Sequence, residues 1–189
     1  MLGKQFEMNV NELKDLAIDA ATQAGEFLNK SKLEKKEVYK EEGRDIKLII
    51  DQDTEKLIRS SLQKTGIPIL GEEYGGEISE EKYWVIDPID GTANYFRGLD
   101  ECCVSIALMD GDEALIGVIY NFNNGQMYTA IKGHGAFLNN EKISVSDIAS
   151  KSKASITTGF PASESIESSM NFLENLKGWK KVRMFGSAA

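Results

Sequence analysis

The sequence predicts an α+β fold in which N-terminal helices pack on a large, mostly antiparallel sheet. Apolar residues recur at helical spacing early in the chain, and short apolar runs separated by Gly, Asn and Asp fill its middle. A helical pattern between two strand-like runs closes it. With 189 residues, 41% of them hydrophobic, the chain is long enough for one good core and cramped for two. One domain is the expectation, with no repeat and no low-complexity linker.

The first helix rests on Leu13, Leu16, Ala17, Ala20, Ala21, Ala24, Phe27 and Leu28, with Asn9 or Asn11 available as N-cap. Its alanine stripe implies close packing. A second helix is expected over about 53–64, with Leu57, Ile58 and Leu62 inward and Thr65-Gly66 closing it. The runs "IPIL", "YWVI", "CCVSIALM", "ALIGVIYNF", "QMYTAI" and "AFLN" then read as strands, and "NFNNGQMY" carries an Asn-Gly hairpin signal. "ASITTGF" and "KVRMFG" are expected as further strands. Between them an amphipathic helix over 165–176 would turn Ile166, Met170, Phe172 or Leu173, and Leu176 inward. The closing "GSAA" would begin another helix well, so the chain reads as unfinished.

A formal charge of −8 gives no electrostatic footprint for a polyphosphate backbone, which argues against nucleic acid as the main ligand. The lysines of "NKSKLEKKEVYKEE" alternate with acids and read as a solvated helix end or loop. No window approaches the roughly 18 to 20 apolar residues of a membrane span, and "MLGKQFEMNV" lacks the apolar core of a signal peptide, so a cytoplasmic location is expected. Cys102 and Cys103 are neighbours, too strained to bridge, and read as two small strand residues, one on each face. His134 has no second His or Cys near it and reads as a turn residue.

The chemistry lies in the acids. Asp51 in "KLIIDQDTEK", Glu72 in "ILGEEYGG", and Asp87 with Asp90 in "YWVIDPIDGT" sit where elements end, three of them after an apolar run. Carboxylates gathered at a sheet edge repel one another, and a divalent cation relieves that. Oxygen donors without His or Cys point to Mg²⁺, with Mn²⁺ as substitute. Pro88 fixes a turn in which both aspartates and the carbonyl between them can face one point. Gly91 and Thr92 follow at a potential helix start, where N–H groups suit phosphate. Cations beside an anion cradle are the arrangement of metal-assisted phosphate ester hydrolysis. The plainer reading of "DPIDGT" is a turn with Asp90 capping a short helix, which needs no metal.

"GEEYG", "WVIDPIDGTANYFRG", "GVIYNFNNGQMYTAIKGHGAFLNNEKISVS" and "RMFGSAA" resemble, in order and spacing, the inositol monophosphatase family of Mg²⁺-dependent, lithium-sensitive phosphomonoesterases. The resemblance runs from about Leu13 to the end of the sequence. It implies the first part of a layered αβαβα sugar-phosphatase fold, with residues 1–189 forming one such domain truncated on its C-terminal side. It further implies Glu72, Asp87 and the Ile89 carbonyl around a first Mg²⁺, and Asp87 with Asp90 around a second, two or three ions in all. Thr92, hydrogen-bonded towards Asp51, would orient and help deprotonate a metal-activated water, with Glu73 standing close by. Asp90, Gly91, Thr92, Gly186, Ser187 and Ala188 would meet the substrate, inositol monophosphate or a similar small polyol phosphate. Related substrates are a 3′-phosphorylated nucleotide, a sugar bisphosphate or histidinol phosphate, and a non-catalytic regulatory relative is the remaining alternative. A homodimer is expected. Family members carry a further aspartate in a Trp-Asp motif beyond the GSAA segment, so this chain alone is expected to be a poor or inactive phosphatase.

Overall fold

The structure, a computed structural model, describes residues 8–32, 37–42, 45–159 and 165–186. Helix α1 spans Val10–Ser31. Of the two candidate caps it uses Asn9, whose side chain accepts the N–H groups of Asn11 and Glu12 at 3.0 and 3.1 Å, while the Glu12 carboxylate accepts the Asn9 N–H at 2.8 Å. Ala17, Ala20, Ala21, Ala24 and Leu28 are fully buried. At Gly25 the helix approaches the sheet so closely that a Cβ would lie 2.5 Å from the Tyr120 ring.

The stretch read as a solvated helix end or loop holds the end of α1 up to Lys32 and then the strand β1 (Val38–Glu42), which pairs antiparallel with β2 (Asp45–Leu48) just beyond it. Lysines interleaved with acids suit a polar strand as well as a solvated helix end, so the charge pattern alone could not separate the two. Helix α2 (Ile49–Leu62) begins four residues ahead of the expected start. Asp51 therefore stands in its first turn, where its Oδ2 accepts the Leu48 N–H at 2.8 Å, and the apolar "LII" spans the end of β2 and the start of α2. A 3₁₀ turn, Gln63–Thr65, ends at left-handed Gly66 (φ 68°), as the Thr-Gly signal implies.

Seven strands then form one sheet in sequential order: β3 (Ile69–Gly71), β4 (Lys82–Asp90), β5 (Cys103–Asp110), β6 (Glu113–Asn121), β7 (Gln126–Ile131), β8 (Gly135–Leu138) and β9 (Glu141–Ile143). All neighbours are antiparallel except β3 and β4. Gly125 (φ 73°) closes the Asn-Gly hairpin between β6 and β7. The core lies between this sheet and α1 and α2, with Trp84 of β4 fully buried and its Nε1 donating to Thr65 Oγ1 at 3.2 Å.

A separate two-stranded parallel sheet pairs β10 (Ser155–Thr158) with β11 (Lys181–Met184), joined through α4 (Ile166–Asn175). Ser165 caps α4, accepting the Ser168 N–H at 3.0 Å. The expected inner face is only partly inner. Leu176 is buried, but Met170 is 58% exposed, and Phe172, Leu173, Met184 and Phe185 are exposed as well. Amphipathic spacing fixed the helix without fixing what covers it. Trp179 of this segment is half-buried, with Lys151 Nζ 5.8 Å from its ring centroid.

Candidate functional site

The end of β4 is where the sequence-predicted residues meet. Asp87 pairs with Ser105 and Asp90 with Cys103, so three steps on β4 face two on β5, a bulge at Pro88-Ile89. The bulge re-aims the chain beside the two aspartates. Asp87 Oδ1 accepts the Ile89 N–H at 3.1 Å. Gly91 turns the strand into the short helix α3 (Thr92–Arg97) with φ 90°, a conformation that only glycine adopts without strain. The Gly91 carbonyl accepts the N–H groups of Asn94 and Tyr95, which leaves the earlier N–H groups ahead of the helical ladder.

Asp51 approaches from α2. Its Oδ1 lies 3.4 Å from Thr92 Oγ1, while the Thr92 hydroxyl donates to the Ile89 carbonyl at 2.9 Å. One hydroxyl proton serves one acceptor at a time, so the shorter contact holds it here. Burial is the main reason that the Asp51 carboxyl is pushed up from 3.8 to about 7, with Glu73 and Glu72 adding like charge. The hydrogen bonds from Leu48 and Thr92 act the other way. Asp87 is pushed up to about 8, by burial first, then by the charges of Glu72 and Asp90 and a hydrogen bond shared with Glu72.

Glu72 and Glu73 arrive on the loop after β3, and Tyr39 of β1 donates its hydroxyl to Glu73. Among the described residues, no three His, Cys, Asp or Glu side chains form a ready-made metal cage. The donor chemistry nevertheless fits a hard, water-rich cation. Glu72 lies within hydrogen-bonding reach of Asp87, and Asp90 raises Asp87 by charge, which is the repulsion that a bound cation relieves. The Ile89 carbonyl has a second lone pair beyond the one that Thr92 occupies.

The segment after β11 also reaches this corner. Asn94 Nδ2 donates to the Phe185 carbonyl at 2.8 Å and to Glu101 O at 2.7 Å. Gly186 (φ 82°) sits against the Asn94 side chain and against Gly159. Ser187 and Ala188 lie outside the described residues.

Residues 9–189 match the inositol monophosphatase family. This chain belongs to that family. It is 36% identical over 154 residues to the Nus factor SuhB of Xylella fastidiosa, a match covering 79% of this chain and 56% of that protein. It is 33% identical over 159 residues to a fructose-1,6-bisphosphatase/inositol-1-monophosphatase of Aquifex aeolicus, covering 82% and 60%. Among solved structures, the extragenic suppressor protein suhB of Bartonella henselae superposes with a TM-score of 0.85 at 31% identity, over 93% of this chain and 70% of that one. The chain thus spans a little under two thirds of the length of the first two relatives. The family consists of phosphomonoesterases that use divalent cations and bind phosphorylated polyols.

Sequence reasoning missed Tyr39, Glu55 and Cys103 near this site. Cys103 begins β5 and its Sγ lies 3.9 Å from Asp90 Oδ2, while Cys102 just precedes the strand. Both cysteines are free and buried. Only pairing across the bulge brings Cys103 to Asp90, and no local signal announces that. His134 is exposed in the turn between β7 and β8, where the sequence put it.

Proposed function

We propose that this chain carries the hydrolytic centre of a Mg²⁺-dependent phosphomonoesterase acting on a small phosphorylated polyol or sugar, with inositol monophosphate the first candidate. The observation supporting this reading most is the meeting, at the end of β4, of Asp51 and Thr92 with the mutually repelling Glu72, Asp87 and Asp90. Glu72, Asp87 and the Ile89 carbonyl would hold one cation, and Asp87 with Asp90 a second. When bound, these cations would polarise the phosphoryl group and stabilise the departing alkoxide. The chain's own part is orientation and proton transfer. Asp51, titrating near neutrality, is suited to accept a proton through Thr92, whose hydroxyl can swing from the Ile89 carbonyl towards Asp51. The N–H groups of Gly91 and Thr92 would hold phosphate oxygens, Glu73 would stand beside the cations, and Gly186 with Ser187 and Ala188 would line the alcohol side.

The test measures phosphate release from inositol 1-phosphate and from sugar bisphosphates with Mg²⁺. It uses this chain and the same chain continued with the part of the Aquifex relative beyond the match. Turnover is expected in the continued chain and slow or absent in the short one. Thr92→Ala should lower kcat far more than it raises KM, because orienting the nucleophile matters mainly in the transition state. No turnover in either chain, or an unchanged kcat in Thr92→Ala, overturns the reading. A preference for sugar bisphosphates would move the substrate toward the activity named for the Aquifex relative. A second reading, a regulatory relative acting by binding, draws on the name of the Xylella protein and predicts cation binding without turnover.

A further inference from the structure

We propose that Glu55 and Arg59 of α2 are positioning residues that set the Glu72-Glu73 loop against Asp87, an inference that rests on the cation-binding reading above. Glu55 is fully buried, a position where a carboxylate survives only with its oxygens satisfied. Arg59 Nε donates to its Oε1 at 2.7 Å. An exposed helical pair at this i, i+4 spacing would matter little. Here the other hydrogen bonds go to the acidic loop. Glu55 Oε2 accepts the Glu73 N–H at 2.7 Å, and Oε1 accepts the Tyr74 N–H at 3.2 Å.

The guanidinium completes the clamp by donating to the carbonyls of Ile69 and Gly75, one on each side of the loop. The loop closes on itself through the Gly71 N–H to the Gly75 carbonyl at 3.0 Å. Glycines stand where the clamp passes. A Cβ at Gly71 would lie 2.1 Å from Glu55 Oε1, and one at Gly76 (φ 147°) 2.3 Å from the Ile69 carbonyl. Glu55 also follows Asp51 by one helical turn. A single rigid helix therefore sets the place of the proton acceptor and, through backbone hydrogen bonds, that of the loop whose Glu72 reaches Asp87. Outer partners of this kind fix ligand geometry and contribute to cation affinity.

The experiment measures Mn²⁺ binding by calorimetry at neutral pH, well below each variant's melting temperature. Wild type, Glu55→Gln, Arg59→Lys, Asp87→Asn and the core variant Leu28→Ala are compared. Wild type should bind and Asp87→Asn should not. Glu55→Gln should weaken binding by roughly 10- to 100-fold with an unchanged far-UV spectrum, and Arg59→Lys should weaken it by less. Leu28→Ala, which destabilises by emptying a packed core position, should bind like wild type. If Glu55→Gln does not fold, Arg59→Lys carries the comparison. Wild-type affinity in the clamp variants, with binding lost in Asp87→Asn, overturns this inference alone. Equal weakening in Leu28→Ala reduces the clamp to general stability and also overturns it. A wild type that does not bind Mn²⁺, or binds it no better than Asp87→Asn, overturns the cation-binding reading itself.

Discussion

Helices α1 and α4 carry the same kind of amphipathic pattern and end in opposite circumstances. The stripe of α1 is buried from Leu13 to Leu28 against the seven-stranded sheet, whereas α4 leaves Met170, Phe172 and Leu173 exposed beside a two-stranded sheet. A periodic apolar face creates a demand for burial, and only a neighbour meets it. In the first region the neighbour is a wide sheet strengthened by α2, and the same body holds Asp51, Glu72, Asp87, Asp90 and Thr92. In the second, β10 and β11 hold each other, and the link to the site runs through Asn94 and the Phe185 carbonyl. Stability and the carboxylates belong to one region, and the proposed alcohol side of the substrate belongs to the other.

Truncating a side chain in each helix sharpens this contrast most. Leu28→Ala should cost about 2–5 kcal/mol, the range for emptying a packed core position. Leu173→Ala should cost less than about 1 kcal/mol, since its side chain is already part exposed. Urea unfolding followed by far-UV circular dichroism measures both. Similar losses in the two would erase the distinction.

The next effect tests the strain within the first region. Asp51 and Asp87 hold protons up to about pH 7 and 8 in the folded metal-free chain, against 3.8 for the ordinary carboxyl. The folded state binds more protons than the unfolded one across that window. Stability from these groups is thus full below pH 3.8, falls as pH rises from there, and is lost once pH has passed 7 and 8. In EDTA, the wild-type melting temperature should drop as pH rises from about 4 to about 8 and level off above, the window bounded by the ordinary and the raised pKa values. Asp87→Asn should lessen the drop and melt higher than wild type above pH 8, where the charges of Glu72 and Asp90 no longer meet an ionised partner. Saturating Mg²⁺ should reverse the order of the two proteins. A wild type whose melting temperature is flat across this range would show that the carboxylates are not strained.

The smallest effect is expected at the edge of the site. Tyr39→Phe removes the hydroxyl that meets Glu73, and with Tyr39 part exposed, water can replace it. Calorimetric Mn²⁺ affinity should change less than in Arg59→Lys. A larger loss would make the hairpin, rather than α2, the main support of the acidic loop.

What the sequence made legible follows from range. Asn9 capping, the Thr-Gly stop of α2 and the Asn-Gly hairpin are written within a few residues, and each stands where it was expected. "DPIDGT" is as local, since the bulge, the left-handed Gly91 and the start of α3 all lie within it. Glu55 carries no local signal of its role, because a glutamate amid charged residues looks solvated. Its burial depends on Gly71, sixteen positions later, having no side chain. Asp51 was expected at an element end and lies in a helix start that it helps to cap, a role that masks its second oxygen facing Thr92. The exposure of α4 is the least legible feature, because a pattern states which face is apolar and says nothing of the neighbour.

The two tryptophans are divided between these regions, Trp84 sealed in the core strand that leads to Asp87 and Trp179 half-open beside Lys151. The chain therefore contains two intrinsic fluorophores in contrasting surroundings. Trp84 should emit at short wavelength and resist acrylamide, while Trp179 should emit farther to the red and be quenched readily. Loss of the two signals at different denaturant concentrations would reveal whether the carboxylate-bearing body can outlast the segment beside it.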